Sequence, residues 1–231
     1  MSLDFDSARL PNKNLTPEHH EWRAQLRRFI DREIMPYAED WDESGSIPQE
    51  LWPKAAEVGL LGMGYPEEFG GVTEGIDLWH GIIVNEEMAR VAVGGVAATL
   101  LVHGIGLPPV INFGSDAIKQ MVAPPVLAGT KRISLAITEP GGGSDVAQLQ
   151  TTARLDGDHY VVNGSKTYIT GGMNANWFTT AVRTGGEGSG GVSTLLIPAD
   201  AEGVSRTALD RKQGWWCSDT ATIYFDNVPV P

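Results

Sequence analysis

A single cysteine, Cys217, stands in 231 residues, so an intramolecular disulfide and a metal-thiolate cluster are both excluded. Basic side chains are also scarce, 17 against 29 acidic ones for a net charge of −12, and the deficit is concentrated early. Residues 1–130 carry 19 acidic and 9 basic side chains, residues 131–231 carry 10 and 8. Binding to a nucleic-acid backbone or an anionic membrane surface needs clustered Lys and Arg, and neither is expected. No run approaches the roughly 18 apolar residues of a membrane-spanning helix. The opening Met-Ser-Leu-Asp-Phe-Asp lacks the basic start and apolar core of a signal peptide, which points to a cytoplasmic protein. Only His19 and His20 of the five histidines are neighbours, and adjacent helical residues point about 100° apart. That pair reads as surface, and no metal is expected.

The hydrophobic share of 42% with 20% charged residues is ample for a packed core. Thr16-Pro17 has the form of an N-cap followed by proline at the first helical position, and Trp22, Leu26, Phe29, Ile30 and Ile34 recur at helical spacing. This helix is expected to end near Gly45. Further helices are predicted over 48–58, 76–91 and 95–113, the last almost wholly apolar, and from Ser115 to about Ala128.

The pattern changes near Arg132, where β-branched residues and short-range alternation appear, as in Tyr160-Val161-Val162 and Thr194 to Ile197. Asn163-Gly164, between two such runs, predicts a two-residue type I′ hairpin. Gly185–Gly191 reads as a flexible loop between two strands. The fold class is therefore α+β, with a helical domain over 1–130 and an all-β, barrel-like domain over 131–231.

Within the second half, Ala136 to Asp145 reads Ala-Ile-Thr-Glu-Pro-Gly-Gly-Gly-Ser-Asp. Glycines can turn with positive φ and bring backbone N–H groups close to an anion, and Ser144 and Asp145 add side-chain hydrogen bonds. An ordinary loop between strands explains such a run as well. About two dozen residues later comes Lys-Thr-Tyr-Ile-Thr-Gly-Gly, 166–172. Tyr168 and Thr170 would offer a flat wall and a hydrogen bond to a heteroaromatic cofactor, or simply a cross-strand aromatic pair.

Four segments in order resemble the acyl-CoA dehydrogenase family: Ile137–Asp145, Asn163–Gly172, Gly214-Trp-Trp-Cys-Ser-Asp-Thr220 and Phe225-Asp-Asn-Val-Pro-Val-Pro231. Tyr65–Gly71 and Gly114–Lys119 are similar to two further family segments, so the resemblance covers essentially the whole chain. It implies a helical domain, a middle β-domain and a third, helical domain around FAD. It further implies that Leu135, Ile137, Thr138, Gly143 and Ser144 run along the cofactor, with Tyr168, Ile169 and Thr170 at the flavin ring. Ser144 would also meet the CoA portion of the substrate, and Ala98, Leu101 and Ile105 are candidates for the acyl slot.

The implied reaction is α,β-dehydrogenation of an acyl-CoA, with hydride passing to FAD and electrons to an electron-transfer flavoprotein, in a homotetramer when full length. An oxygen-using acyl-CoA oxidase or flavin monooxygenase, or a non-catalytic acyl-CoA or partner-binding module, is the alternative. Gln148, Tyr168 and Trp215-Trp216 depart from the usual family residues. The larger departure is that no residue matches the family's catalytic glutamate, which lies in the third domain, so the sequence is expected to be a fragment. No catalytic residue is assigned: Glu139 belongs to the glycine loop, and Glu86 and Glu87 read as a solvated helix edge.

Overall fold

The computed structural model describes residues 10–231, so the opening Met-Ser-Leu-Asp-Phe-Asp lies outside the described residues. Two compact units are present. One comprises the chain up to Leu101 with Pro124–Thr130 and Gln213–Ser218, the other Val102–Ala123, Lys131–Lys212 and Asp219–Pro231.

The first unit is helical. Helix α1, Pro17–Glu33, begins after Thr16 as the sequence predicts. It does not run to Gly45. Pro36 has no N–H to give to the carbonyl four residues back and disfavours helical geometry at Met35, so the chain turns and restarts as α2, Ala38–Ser44. Helices α3, Leu51–Glu57, and α4, Leu78–Met88, fall inside the predicted spans. Leu26, Phe29, Ile30 and Ile34 pack with Leu51, Trp52, Val84, Met88 and Leu100 in one apolar core.

The expected long helix over 95–113 is broken into α5, Gly94–Leu100, α6, His103–Gly106, and α7, Pro108–Phe113. Pro108 and Pro109 have no N–H with which to continue a preceding helix, and proline suits a new first turn. Helix α8, Asp116–Leu127, follows Ser115 as predicted. Among the described residues no single helix is long and apolar enough to cross a membrane; one pair, Gly94–Leu100 with His103–Phe113, meets the length and composition criterion together but is bent by 43°.

The second unit is built on a curled seven-stranded sheet. Its strands are β1, Ile133–Ala136; β2, Thr152–Asp156; β3, His159–Thr170; β4, Trp177–Arg183; β5, Val192–Pro198; β6, Val204–Ala208; and β7, Thr220–Val230. The order is β1-β4-β2-β3-β7-β6, with β5 also on β4. Strand β1 runs parallel to β4, whereas β3 and β7 form a long antiparallel ladder from Tyr160↔Val230 to Thr170↔Thr220. Ala136, Val162, Ile169, Phe178, Ile197 and Ile223 form its core.

The type I′ hairpin predicted at Asn163-Gly164 is not formed. Both residues lie inside β3, where the register with β7 slips between Val162 and Gly164. Gly164 sits there at φ +144, and a Cβ would lie 2.7 Å from the Thr151 Cα, so glycine is required by a bulge rather than a turn. The β2–β3 turn is instead Gly157-Asp158, between the paired residues Asp156 and His159, with Gly157 at φ +64.

Candidate functional site

Strand β1 ends at Ala136, and Ile137, Thr138 and Glu139 continue beside β3 although β1 and β3 are not neighbours in the sheet. The bonds that hold them there are specific. The Thr167 N–H donates to the Thr138 carbonyl at 2.8 Å. The Lys166 ammonium donates to the Ile137 carbonyl at 3.0 Å and to Glu139 Oε1 at 2.8 Å. Lys166 is wholly buried, and among the described residues its only carboxylate partner is Glu139, itself buried.

Burial alone would raise the Glu139 carboxyl, but Lys166 and the N–H groups of Gln150 and Thr151 outweigh it and hold the group below the usual carboxylate range. Burial also lowers the Lys166 ammonium, an effect the Glu139 carboxylate partly opposes. Glu139 thus fixes the root of the glycine loop, as its assignment to that loop anticipated.

The loop tip is a tight turn closed by reciprocal backbone bonds between Glu139 and Gly142. Gly143 then packs on Thr138, where a Cβ would lie 3.0 Å from the threonine methyl. Ser144 is exposed, and the following residues are tethered by Arg183, whose guanidinium donates to the carbonyls of Ala147, Leu149 and Gly188. Sequence reasoning missed this anchor; one arginine ending an apolar strand gave no local signal.

On the other side, Tyr168 occupies the left-handed region at φ 59, and the register of β3 with β7 slips between Lys166 and Ile169. For a bulky aromatic residue that conformation costs of order 1–3 kcal/mol, and such strain clusters at ligand sites. Tyr168 is 63% exposed, whereas the next residue, Ile169, is buried. The turn after Thr170 is held by Asp219: its carbonyl accepts from the Gly171 N–H and its carboxylate from the Met173 N–H, both at 2.8 Å. Gly171, at φ 71, fits against Ser134, whose Oγ would be 3.0 Å from a Cβ there. Asp219 was visible only as part of the Gly214–Thr220 segment, with no role attached.

The serine and threonine hydroxyls around this place divide into engaged and unengaged ones, the buried Ser134 Oγ being among the latter. Thr151, Thr167, Thr179 and Thr180 spend theirs on internal hydrogen bonds. Among the described residues, no hydrogen bond uses the side chains of Thr138, Ser144 or Thr170. The structure therefore brings Ile137 and Thr138, with Gly143 packed on Thr138, beside the strand that carries Tyr168, Ile169 and Thr170, while Leu135 pairs with Thr179 of β4, and a strained aromatic is open to one side. A flat heteroaromatic ligand with hydrogen-bonding edges suits such a surface.

Two family models match in chain order: "Acyl-CoA dehydrogenase, N-terminal domain" over residues 16–130 and "Acyl-CoA dehydrogenase, middle domain" over 134–228. The chain belongs to the acyl-CoA dehydrogenase family. A probable acyl-CoA dehydrogenase from Mycobacterium abscessus has a similar crystal structure, with a TM-score of 0.89 at 48% identity over 94% of this chain and 57% of that one. Acyl-CoA dehydrogenase from Bacillus anthracis, solved in complex with FAD, matches at 33% identity and a TM-score of 0.85 over 96% of this chain and 38% of that one. Among curated relatives, the acyl-CoA dehydrogenase AFT10-1 of Alternaria alternata is 35% identical over 97% of this chain and 55% of its own length. The chain thus spans about half the length of the relatives it matches.

The acyl-slot candidates do not share one helix. Ala98 lies half-buried on α5 and Leu101 just beyond it, whereas Ile105 is 55% exposed on α6 in the other compact unit. Glu87 is not a solvated edge. It is wholly buried on α4, where Arg27 donates from Nε at 2.8 Å and from a terminal nitrogen at 2.9 Å, and Arg23 donates at 3.0 Å. Burial would raise its carboxyl, but the two guanidiniums hold it below the ordinary range. Glu86, half-buried, pairs with Arg23 at 2.6 Å.

His19 is likewise not at the surface. It is buried, and its partner is not His20 but Asp77, fifty-eight residues away, at 2.9 Å.

Proposed function

We propose that this chain supplies the flavin-side domains, over residues 1–130 and 131–231, of a flavoprotein acyl-CoA dehydrogenase that converts an acyl-CoA to the α,β-unsaturated enoyl-CoA. The observation that carries the reading is the set of unengaged hydroxyls on Thr138, Ser144 and Thr170 beside the strained, open ring of Tyr168. Those residues fit FAD: Leu135, Ile137, Thr138 and Gly143 would hold one edge of it, and Tyr168, Ile169 and Thr170 the ring. When bound, FAD supplies the hydride acceptor, and electrons leave to an electron-transfer flavoprotein.

The work of this chain's own residues is positional. Thr138 and Thr170 orient polar edges, Tyr168 covers an aromatic face, and Ser144 reaches toward the cofactor or the CoA portion of the substrate. Fixed donors of this kind stabilise developing negative charge without reorganising as it forms. The base that takes the α-proton is a glutamate of the family's third domain. Ala98, Leu101 and Ile105 each remain candidates for the acyl slot, the family resemblance supports a homotetramer when full length, and the single cysteine supports a cytoplasmic location.

The full-length protein is expected to be yellow and to bleach anaerobically when a suitable acyl-CoA is added. Thr170→Val should weaken FAD binding or slow that bleaching by about tenfold, the loss of one good hydrogen bond. A colourless preparation that FAD fails to reconstitute would refute the reading. Rapid reoxidation by oxygen with stoichiometric peroxide would move it to the oxidase alternative.

A further inference from the structure

Helices α1 and α4 begin with the same device. In each, a histidine at the third helical position turns back on the cap residue: the Thr16 N–H donates to His19 Nδ1 at 3.0 Å, and the Asp77 N–H points at His80 Nδ1 at 3.3 Å. The usual residue in that place is Glu or Gln, which can only close the cap. Histidine brings a second ring nitrogen. His19 Nε2 and His80 Nδ1 both lie 2.9 Å from Asp77 Oδ1, and the two rings sit 4.4 Å apart at 53°.

We propose that His19, Asp77 and His80 form a binding site for a divalent transition metal of the zinc type. The donor set is two imidazoles and one carboxylate, the composition that zinc and its neighbours take in open sites. One ligand atom from each residue lies within 4.8 Å of the other two. A tetrahedral ion with bonds of about 2.0–2.1 Å holds its ligands about 3.4 Å apart, so the two 2.9 Å contacts must open slightly and the two histidine nitrogens, within 4.8 Å of each other, must settle at the same spacing. Both histidines are buried, while the Asp77 side chain is 48% exposed and gives the ion a route in. His80 also borders a cavity of about 280 Å³ that is lined by Glu18, Glu21, Trp22 and Gln25, whereas His19 and Asp77 do not line it.

The proton balance is specific. Without metal, His19 accepts at Nδ1 from the Thr16 N–H and donates from Nε2 to Asp77. Coordination through His19 Nε2 moves that proton to Nδ1, and coordination through His80 Nδ1 requires the ring proton of His80 to sit on Nε2 and the Asp77 N–H to give up Nδ1 as its acceptor. Thr16 Oγ1, 3.0 Å from His19 Nδ1, is there to accept the His19 proton, and the Thr16 N–H passes to solvent because Thr16 is exposed. A second-sphere acceptor of this kind commonly changes metal affinity by about 10–100-fold.

The test is a Co(II) titration of the chelator-stripped protein, followed by competition with Zn(II). One equivalent should bind saturably, Zn(II) should displace it, and the unfolding temperature should rise with metal concentration. His19→Gln and His80→Gln should each weaken binding by at least about tenfold, and Thr16→Val by about tenfold, from loss of the second-sphere acceptor. Because these residues also cap helices, the deciding readout uses the unaltered protein. Its Co(II) form should show hyperfine-shifted, exchangeable imidazole N–H resonances from two histidines. Absence of saturable binding, or binding without those resonances, would overturn the proposal and leave the cluster as a pair of joined helix caps.

Discussion

Lys166→Met is expected to lower the free energy of unfolding by about 3–5 kcal/mol, because it removes one member of a buried ion pair and leaves the Glu139 carboxylate without its countercharge. Methionine fills nearly the same volume, so little of the loss comes from a cavity. The Ile137 carbonyl loses its donor as well, since no neighbouring strand can replace Lys166 there. The urea midpoint should fall with the slope unchanged, the mark of a stability change alone.

Adding Glu139→Gln should restore only part of the loss. The carboxylate also accepts from the Gln150 and Thr151 N–H groups, and an amide has one oxygen with which to do both. A Lys166→Met free energy of unfolding within about 1 kcal/mol of the parent's would show that the pair contributes no more than a well-packed apolar residue.

The second large effect belongs to Glu87. Its carboxylate takes both nitrogens of a fork from Arg27 and one from Arg23, and Arg90 approaches at 3.5 Å. Glu87→Gln leaves these guanidiniums facing a neutral amide, one half of which is itself a donor, and should cost about 3 kcal/mol near neutral pH. The pH dependence has a definite sign. Glu87 and Glu139 both have folded-state values below the ordinary one, so their contribution is fully present above the unfolded value of about 4.3 and is lost as pH falls through the depressed folded values. The parent protein should therefore lose stability steeply below about pH 4, and Glu87→Gln should flatten that fall. Parallel acid titrations of parent and variant, followed by circular dichroism, would expose an error in this sign.

What the sequence disclosed and what it hid follow from the range of the forces involved. The start of α1 was readable because Thr16-Pro17 acts on its own next turn, and the division into helical and β halves because hydrophobic period is local. The breaks at Pro36 and at Pro108-Pro109 were missed although proline marks each, and across the second an almost wholly apolar run invited one long helix. Asn163-Gly164 shows the opposite limit. Its turn propensity was overruled by a twelve-residue strand whose partner lies some sixty residues on, and a bulge needs glycine as much as a turn does.

The burial of Glu87 and His19 was invisible for a related reason. Each becomes tolerable only through a partner on another helix, and charge alone suggests solvent. Of the candidate site, the glycine loop and the Tyr168–Thr170 segment could be named from residue types. Their spacing could not be read, because it depends on Lys166 and Asp219, which touch them across 29 and 46 positions of chain.

That last tie bears on the order in which the molecule assembles. Every residue proposed to touch the cofactor has been synthesised by position 170, yet the turn beyond Thr170 is closed by Asp219 and flanked by β7, the final strand described. Contacts so distant in sequence form late, since a long intervening loop must close before they give anything back. On a ribosome the turn after Thr170 would emerge and stay unclosed until some fifty more residues had followed, so that side of the surface on which a ligand could dock waits on β7.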